Sequence, residues 1–204
     1  RDSTDGSKTI SSLNKSINLA KRITGNDAGS LGLHPAVYFY GPTGRHSGPM
    51  FMGTVALIGK KLSNNDSNFF KKFTNIRELL EQALIEHKDL IAAILQKHSS
   101  NKRTDRYRDI LAGLIDLLES GNKPTEEWLI QISDLKGKLL TGTAASKAQS
   151  FSHETKSEAF MTKALSSAQK CPICNGYLDV EKSVSYDHIT RVRDGGSGDT
   201  ENCQ

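Results

Sequence analysis

A mainly α-helical chain with a small α+β element at its C-terminal end is the fold class this sequence predicts, and three observations carry the prediction. Apolar residues recur at helical intervals over most of the chain. Leucine and isoleucine dominate the apolar set while aromatics make up only 6%, a composition that favours helices over sheets. The last stretch, Cys171 to Gln204, breaks the pattern with a run rich in Val, Tyr and Ile set between a Cys-x-x-Cys turn and a Gly-Gly loop.

A length of 204 residues allows one or two domains and a buried core. The small-residue segment 141–150 (TGTAASKAQS) marks a hinge, giving a predominantly helical domain over 1–150 and a linker helix with the terminal element over 151–204. No internal repeat or heptad pattern is evident.

Residues 1–9 are polar and linker-like. Ile10, Leu13, Ile17, Leu19, Ala20 and Ile23 then describe an amphipathic helix that stops at Gly25 and Asn26. Val37 to Tyr40 is a short strand candidate by its β-branched and aromatic content, followed by a Gly-Pro loop from Gly41 to Pro49. His34, Arg45 and His46 around that loop could serve a phosphate or a reaction, although exposed loop residues of these types are commoner. Met50 to Leu62 reads as a helix with Lys60 and Lys61 at its C-terminal end.

Asn75 with Glu78 resembles a capping pair for a helix over residues 76–98, whose stripe is Ile76, Leu79, Leu80, Ala83, Leu84, Ile91, Ile94 and Leu95. Phe69, Phe70 and Phe73 are expected in the core rather than stacked on bases. Lys97, Lys102, Arg103, Arg106 and Arg108 surround Tyr107 with Asp105 as the only acid, a candidate patch for a DNA backbone. A solvated turn between helices fits the same residues. Tyr107 to Leu118 continues as helix up to Gly121, Pro124 opens another, Trp128 is expected to be buried, and a last helix runs from about Ser152 to Gln169.

In the terminal stretch, Cys171 and Cys174 have the spacing that lets two thiolates meet one zinc ion from a tight turn. A hairpin is the expected form of residues 177–189, placing Asp187 and His188 at the end of its second strand, where neighbours point to opposite faces. Asp199 or Thr200 could cap a following helix, with Asn202 near its start.

Cys171, Cys174, Asp187, His188, Ile189, Gly195, Gly196 and Asn202, in that order, resemble the HNH endonuclease family, the ββα-metal or His-Me finger fold, in its subgroup with a zinc knuckle. The resemblance implies a C-terminal ββα-metal domain, incomplete at its end, with His188 as general base, Asp187 as ligand of a catalytic Mg²⁺ or Mn²⁺, and Asn202 orienting the loop that carries the base. It implies structural Zn²⁺ on Cys171 and Cys174, and Arg191 or Arg193 against the phosphate. Arg191 stands where many members have Pro, and Cys203 falls where an apolar residue is usual, so core packing is expected of it. The family's last ligand and second Cys pair are not reached by Gln204, so a longer protein is expected, and residues 1–204 alone are expected to cut little. A non-catalytic, zinc-stabilised DNA- or protein-binding module is the rival reading.

The segment LHPAVYFY is similar, over a short span, to restriction proteins that fuse a ParB-like nucleotide-binding domain to an HNH domain, the modification-dependent GmrSD kind. This implies a role in restriction or antiviral defence. The DGQQR motif of that nucleotide-binding domain is absent, so no nucleotide site is inferred from it.

The formal charge is +4 at pH 7, unevenly spread. Residues 170–204 carry four basic groups against six acidic ones, a balance of −2, so the preceding part holds +6. Basic surface elsewhere could therefore bring an acidic metal site to DNA, the expected partner, alone or with further copies or other defence subunits. Three cysteines, two of them in a knuckle, suit a reducing compartment. No apolar run approaches the roughly 20 residues needed to cross a bilayer, so a cytoplasmic location without membrane contact is expected.

Overall fold

The computed structural model describes residues 5–27, 29–135, 151 and 153–204. It is mainly helical, as expected. The helices are α1 (Ser7–Thr24), α2 (Pro35–Tyr38), α3 (Gly48–Ser63), α4 (Ser67–Glu86), α5 (Lys88–Lys97), α6 (Arg103–Glu119), α7 (Glu126–Ile132) and α8 (His153–Ser166). Short 3-10 turns cover Ser100–Lys102, Val192–Asp194 and Thr200–Asn202. Among the described residues there is no sheet, only isolated antiparallel bridges at Tyr40 with His46, Lys170 with Tyr177 and His188 with Cys203. No described helix is long and apolar enough to cross a membrane.

Of the strand expected at residues 37–40, Val37 and Tyr38 instead end α2, Phe39 caps it, and Tyr40 makes the isolated antiparallel bridge with His46. Pro35 opens that helix, and His34 caps it by accepting the Ala36 N–H on Nδ1 at 3.2 Å. His34 is thus tied to the fold, with its ring edge-on to Tyr177. The long helix expected over 76–98 is also different. Asp66 accepts the Phe69 N–H at 3.0 Å, so α4 starts at Ser67 and leaves Asn75 and Glu78 in mid-helix. His87 (φ −102°, ψ 17°) then separates α4 from α5. α6 begins at Arg103, one turn earlier than Tyr107. The hinge at 141–150 lies outside the described residues.

α3 and α4 pack on α6, with Leu57, Ile58, Phe73, Leu80, Tyr107, Ile110, Leu111 and Leu114 all buried. Phe69 and Phe73 are buried, Phe70 and Trp128 only partly so. Leu165 of α8 joins the same core, which carries the chain back to the helical body just before the knuckle.

Inside this core lies a buried ion pair. Arg77 Nε donates to Glu81 Oε1 at 2.9 Å, with the two side chains 4% and 1% exposed. Three of the remaining guanidinium hydrogens go to the carbonyls of Leu31, Gly32 (2.9 Å) and Tyr177 (3.0 Å). Glu81 accepts the Tyr38 hydroxyl at 3.0 Å and the Tyr177 N–H at 2.6 Å. Burial, reinforced by the Glu81 carboxylate, pushes the Tyr38 phenol well above its ordinary value. One pair therefore ties α4 to the loop before α2 and to the residue that follows the knuckle.

Candidate functional site

The Cys-x-x-Cys turn is built by its own backbone. Cys171 N–H donates to Gly176 O at 2.8 Å, Asn175 N–H to Cys171 O at 2.9 Å and Leu178 N–H to Gln169 O at 2.9 Å, with Asn175 in the left-handed region (φ 54°). Gly176 lies against Arg77 so closely that a Cβ there would run into the guanidinium. Glu78 accepts hydrogen from the Asn175 side chain and pairs with Lys170 at 3.5 Å. The knuckle is therefore seated on α4.

Both thiols are partly buried and free. Burial, the largest influence, disfavours both thiolates. At Cys171 it is outweighed by the N–H groups of Cys174 and Ile173, by the Cys174 thiol and by Arg77, so this thiol ionises below the ordinary range. At Cys174 burial keeps the pKa raised despite the Gly176 N–H and Arg77. Two adjacent thiols, one of them inclined to ionise, suit a soft divalent metal such as zinc, but they are half of its tetrahedral shell. Among the described residues no group of three or more His, Cys, Asp or Glu converges as a metal site.

The second part of the site is the chain end. The hairpin expected over 177–189 does not form among these residues. Tyr177 N–H goes to Glu81 and Leu178 N–H to Gln169 O, while the Ser183 hydroxyl donates to Thr24 O, so the first segment has its hydrogen bonds elsewhere. Asp179 closes a turn instead, its carbonyl accepting from Lys182 and Ser183. The segment with Asp187 and His188 pairs with the last residues. Asp187 and Gln204 exchange both backbone hydrogen bonds at 2.9 Å, and Ile189 N–H donates to Asn202 O at 2.8 Å.

Asn202 locks this arrangement with its side chain. Its Oδ1 accepts the Thr190 N–H at 2.6 Å, and its Nδ2 donates to Thr190 O (3.0 Å) and Ser197 O (2.6 Å). Gly196 is required beside it, because a Cβ would meet Thr190 O. Asp187 Oδ1 accepts the His188 N–H at 2.8 Å. Asp187, His188, Asp199, Asn202 and Cys203 line one small concavity of about 170 Å³. Asn202 ends the 3-10 turn Thr200–Asn202, and Cys203 after it is extended. Cys203, expected in the core, is exposed as the antiparallel partner of His188.

Arg191 and Arg193 are exposed on the adjoining loop, Arg193 near Asp194 at 3.7 Å. The patch expected on Lys102, Arg103, Arg106 and Arg108 is mostly engaged within the fold. Arg103 holds His98 O, Arg106 holds Ile132 O and Asp134, and Arg108 holds Asp105 and Asp109. Lys102 stays exposed. Arg45 and His46 line a separate hollow of about 340 Å³ with Arg103.

Sequence reasoning missed the Arg77–Glu81 pair under the knuckle. The available signal was two opposite charges at i and i+4 between the apolar positions Phe73, Ile76, Leu80 and Leu84. No family model, curated protein or solved structure matches this chain.

Proposed function

We propose that the chain carries part of an HNH-type, metal-dependent DNA endonuclease, of the kind used in restriction and antiviral defence. The observation that supports this reading most is Asn202, whose amide holds both backbone groups of Thr190 while Asp187 and His188 line the concavity beside it. A side chain with that task is what a loop presenting a base requires, since a general base must be held within reach of its proton.

In this reading the His188 imidazole takes a proton from a water, and the resulting hydroxide attacks the scissile phosphorus as the 3′ oxygen departs. A neutral imidazole is the form that accepts a proton, and histidine is the side chain whose ordinary titration lies near neutral pH. Asp187 keeps Oδ1 on its own turn through the His188 N–H, leaving Oδ2 for a cation. A Mg²⁺ or Mn²⁺ ion there would supply charge stabilisation to the leaving oxygen. Arg191 and Arg193, exposed on the adjoining loop, would meet the phosphate in this reading. The reading needs a further cation ligand and two further zinc donors from outside the described residues.

The deciding experiment is plasmid nicking with Mn²⁺ by the full protein. His188→Ala is expected to lower the rate by about 10²-fold or more, the usual contribution of general base catalysis. Cleavage by His188→Ala at the wild-type rate would overturn the assignment. A second reading, a zinc-stabilised binding module without catalysis, draws on the seating of the knuckle on α4 through Arg77, Glu81 and Glu78. It expects bound zinc and no nicking by the wild type.

A further inference from the structure

Beside α1 and α4, away from the chain end, a hollow of about 680 Å³ is lined by Arg22, Asn65, Phe70, Lys71, Thr74 and Asn75 among others, with no carboxylate in its lining. A second hollow of about 280 Å³ shares Arg22 and continues past Asn18 and Lys21. Three other basic residues around this region have acidic partners. Lys21 lies 3.9 Å from Asp27, Lys61 2.8 Å from Asp66, and Lys72 is bonded to Glu119. Arg22 and Lys71 differ from these, for among the described residues neither side chain makes an ion pair or hydrogen bond.

Arg22 is nonetheless held in place. Its guanidinium carbon sits 4.9 Å from the centroid of the Phe70 ring, and its carbonyl accepts the Leu31 N–H at 2.8 Å. Its Nε is buried without any hydrogen-bond partner. That buried Nε is out of reach of an outside acceptor, so a ligand would meet the terminal amino groups of Arg22, which make no ion pair among the described residues. A guanidinium packed on Phe70, the exposed Lys71 ammonium and the neutral amides of Asn65 and Asn75 in one lining suit phosphate oxygens.

We infer that the α1–α4 groove binds the phosphates of a polyanion through Arg22 and Lys71, either the phosphodiester backbone of nucleic acid or a free polyphosphate. For the endonuclease reading this gives DNA a seat on the helical body, in place of the patch at 102–108 whose guanidiniums are engaged. It does not depend on cleavage, because binding is measured without it.

The test is fluorescence anisotropy of the full protein with a labelled single-stranded DNA 12-mer, without divalent cations, across a salt series, and calorimetric titration with tripolyphosphate. Arg22→Met, which keeps the contact with Phe70, and Lys71→Glu, on an exposed position that cannot disturb the core, are compared with wild type. Each is expected to weaken binding, and Arg22→Met is expected to reduce the slope of log K against log salt by about one. Binding of the 12-mer with that loss assigns the groove to nucleic acid. Binding of tripolyphosphate alone, lost in both variants, assigns it to a free polyphosphate. Wild type that binds neither probe, or variants that bind both as wild type does, overturns the inference. The anisotropy series contains no divalent cation and reads no cleavage, so 12-mer binding tests the groove while plasmid nicking with Mn²⁺ tests the endonuclease reading, and a failure of one is told apart from a failure of the other.

Discussion

Arg77 and Glu81 are shut away from water on α4, so each depends on the other for its charge. Removing the guanidinium leaves Glu81 with the Tyr38 hydroxyl and the Tyr177 N–H but no cation. Breaking a buried pair from one side costs on the order of 3–5 kcal/mol. Arg77→Met is expected to lower the unfolding free energy in urea by that amount, and a loss under about 1 kcal/mol would mean that water reaches the pair. Asn202 is the opposite kind of residue, since its bonds organise one exposed loop and no core. Asn202→Ala removes three hydrogen bonds, each worth about 1 kcal/mol net, so their loss should open the loop locally. The expected outcome is amide exchange at Thr190 faster by about tenfold or more, with the helical body unfolding at an unchanged midpoint. Unchanged protection at Thr190 would deny Asn202 its positioning role.

α2 shows what local sequence could and could not reveal. Val37, Tyr38, Phe39 and Tyr40 carry strand propensity, and that preference outvoted His34 and Pro35, which mark a helix start. The deciding contact comes from far along the chain. Lys88 is buried at the start of α5, and its Nζ donates to the carbonyls of Ala36, Val37 and Tyr40 at 2.9, 2.8 and 3.1 Å. It thereby satisfies the carbonyl end of a helix too short to stand alone. The strongly periodic helices were legible because their burial follows from spacing within one segment, as in α1, α3 and α6. The start of α4 was not, because the Asp66 cap competes with an equally plausible pair at Asn75 and Glu78. Burial brings Lys88 down to about 8 from an ordinary 10.5. Between those values the unfolded chain binds more protons than the folded one. Stability therefore rises with pH through that window, by up to about 1.4 kcal/mol per unit, and is flat from this source below it. Urea midpoints measured from pH 7.5 to 10.5 should show this rise in wild type and not in Lys88→Met. Identical slopes would mean that Lys88 titrates alike in both states.

For the whole molecule, residue types alone pointed to the order Cys171, Cys174, Asp187, His188, Gly196 and Asn202, and a close approach at Gly196 and three hydrogen bonds at Asn202 give two of these positions a physical reason. The path of the chain between them was not legible. A Val- and Tyr-rich run suggests a hairpin only while its backbone N–H groups are free, and those of Tyr177 and Leu178 are engaged by Glu81 and Gln169. The knuckle thus belongs mechanically to α4, and Gly176 is a point of close contact beside those of Asn175, Lys170 and Tyr177. A methyl group at 176 would enter the space of the Arg77 guanidinium, which three carbonyls and Glu81 hold from moving aside. Overpacking of this kind costs about 1–3 kcal/mol, and lifting the knuckle off α4 is the relief open to the chain. Gly176→Ala is therefore expected to make the stretch from Ser167 onward sensitive to limited proteolysis while far-UV circular dichroism keeps the helical signal of α3, α4 and α6. Arg77→Met combined with Gly176→Ala should restore little protection, because the same guanidinium also donates to Tyr177 O. A Gly176→Ala protein as resistant as wild type would show that the knuckle can be seated without this contact, and the coupling between the C-terminal site and the helical body would have to run through Leu165 and the Glu78 contacts instead.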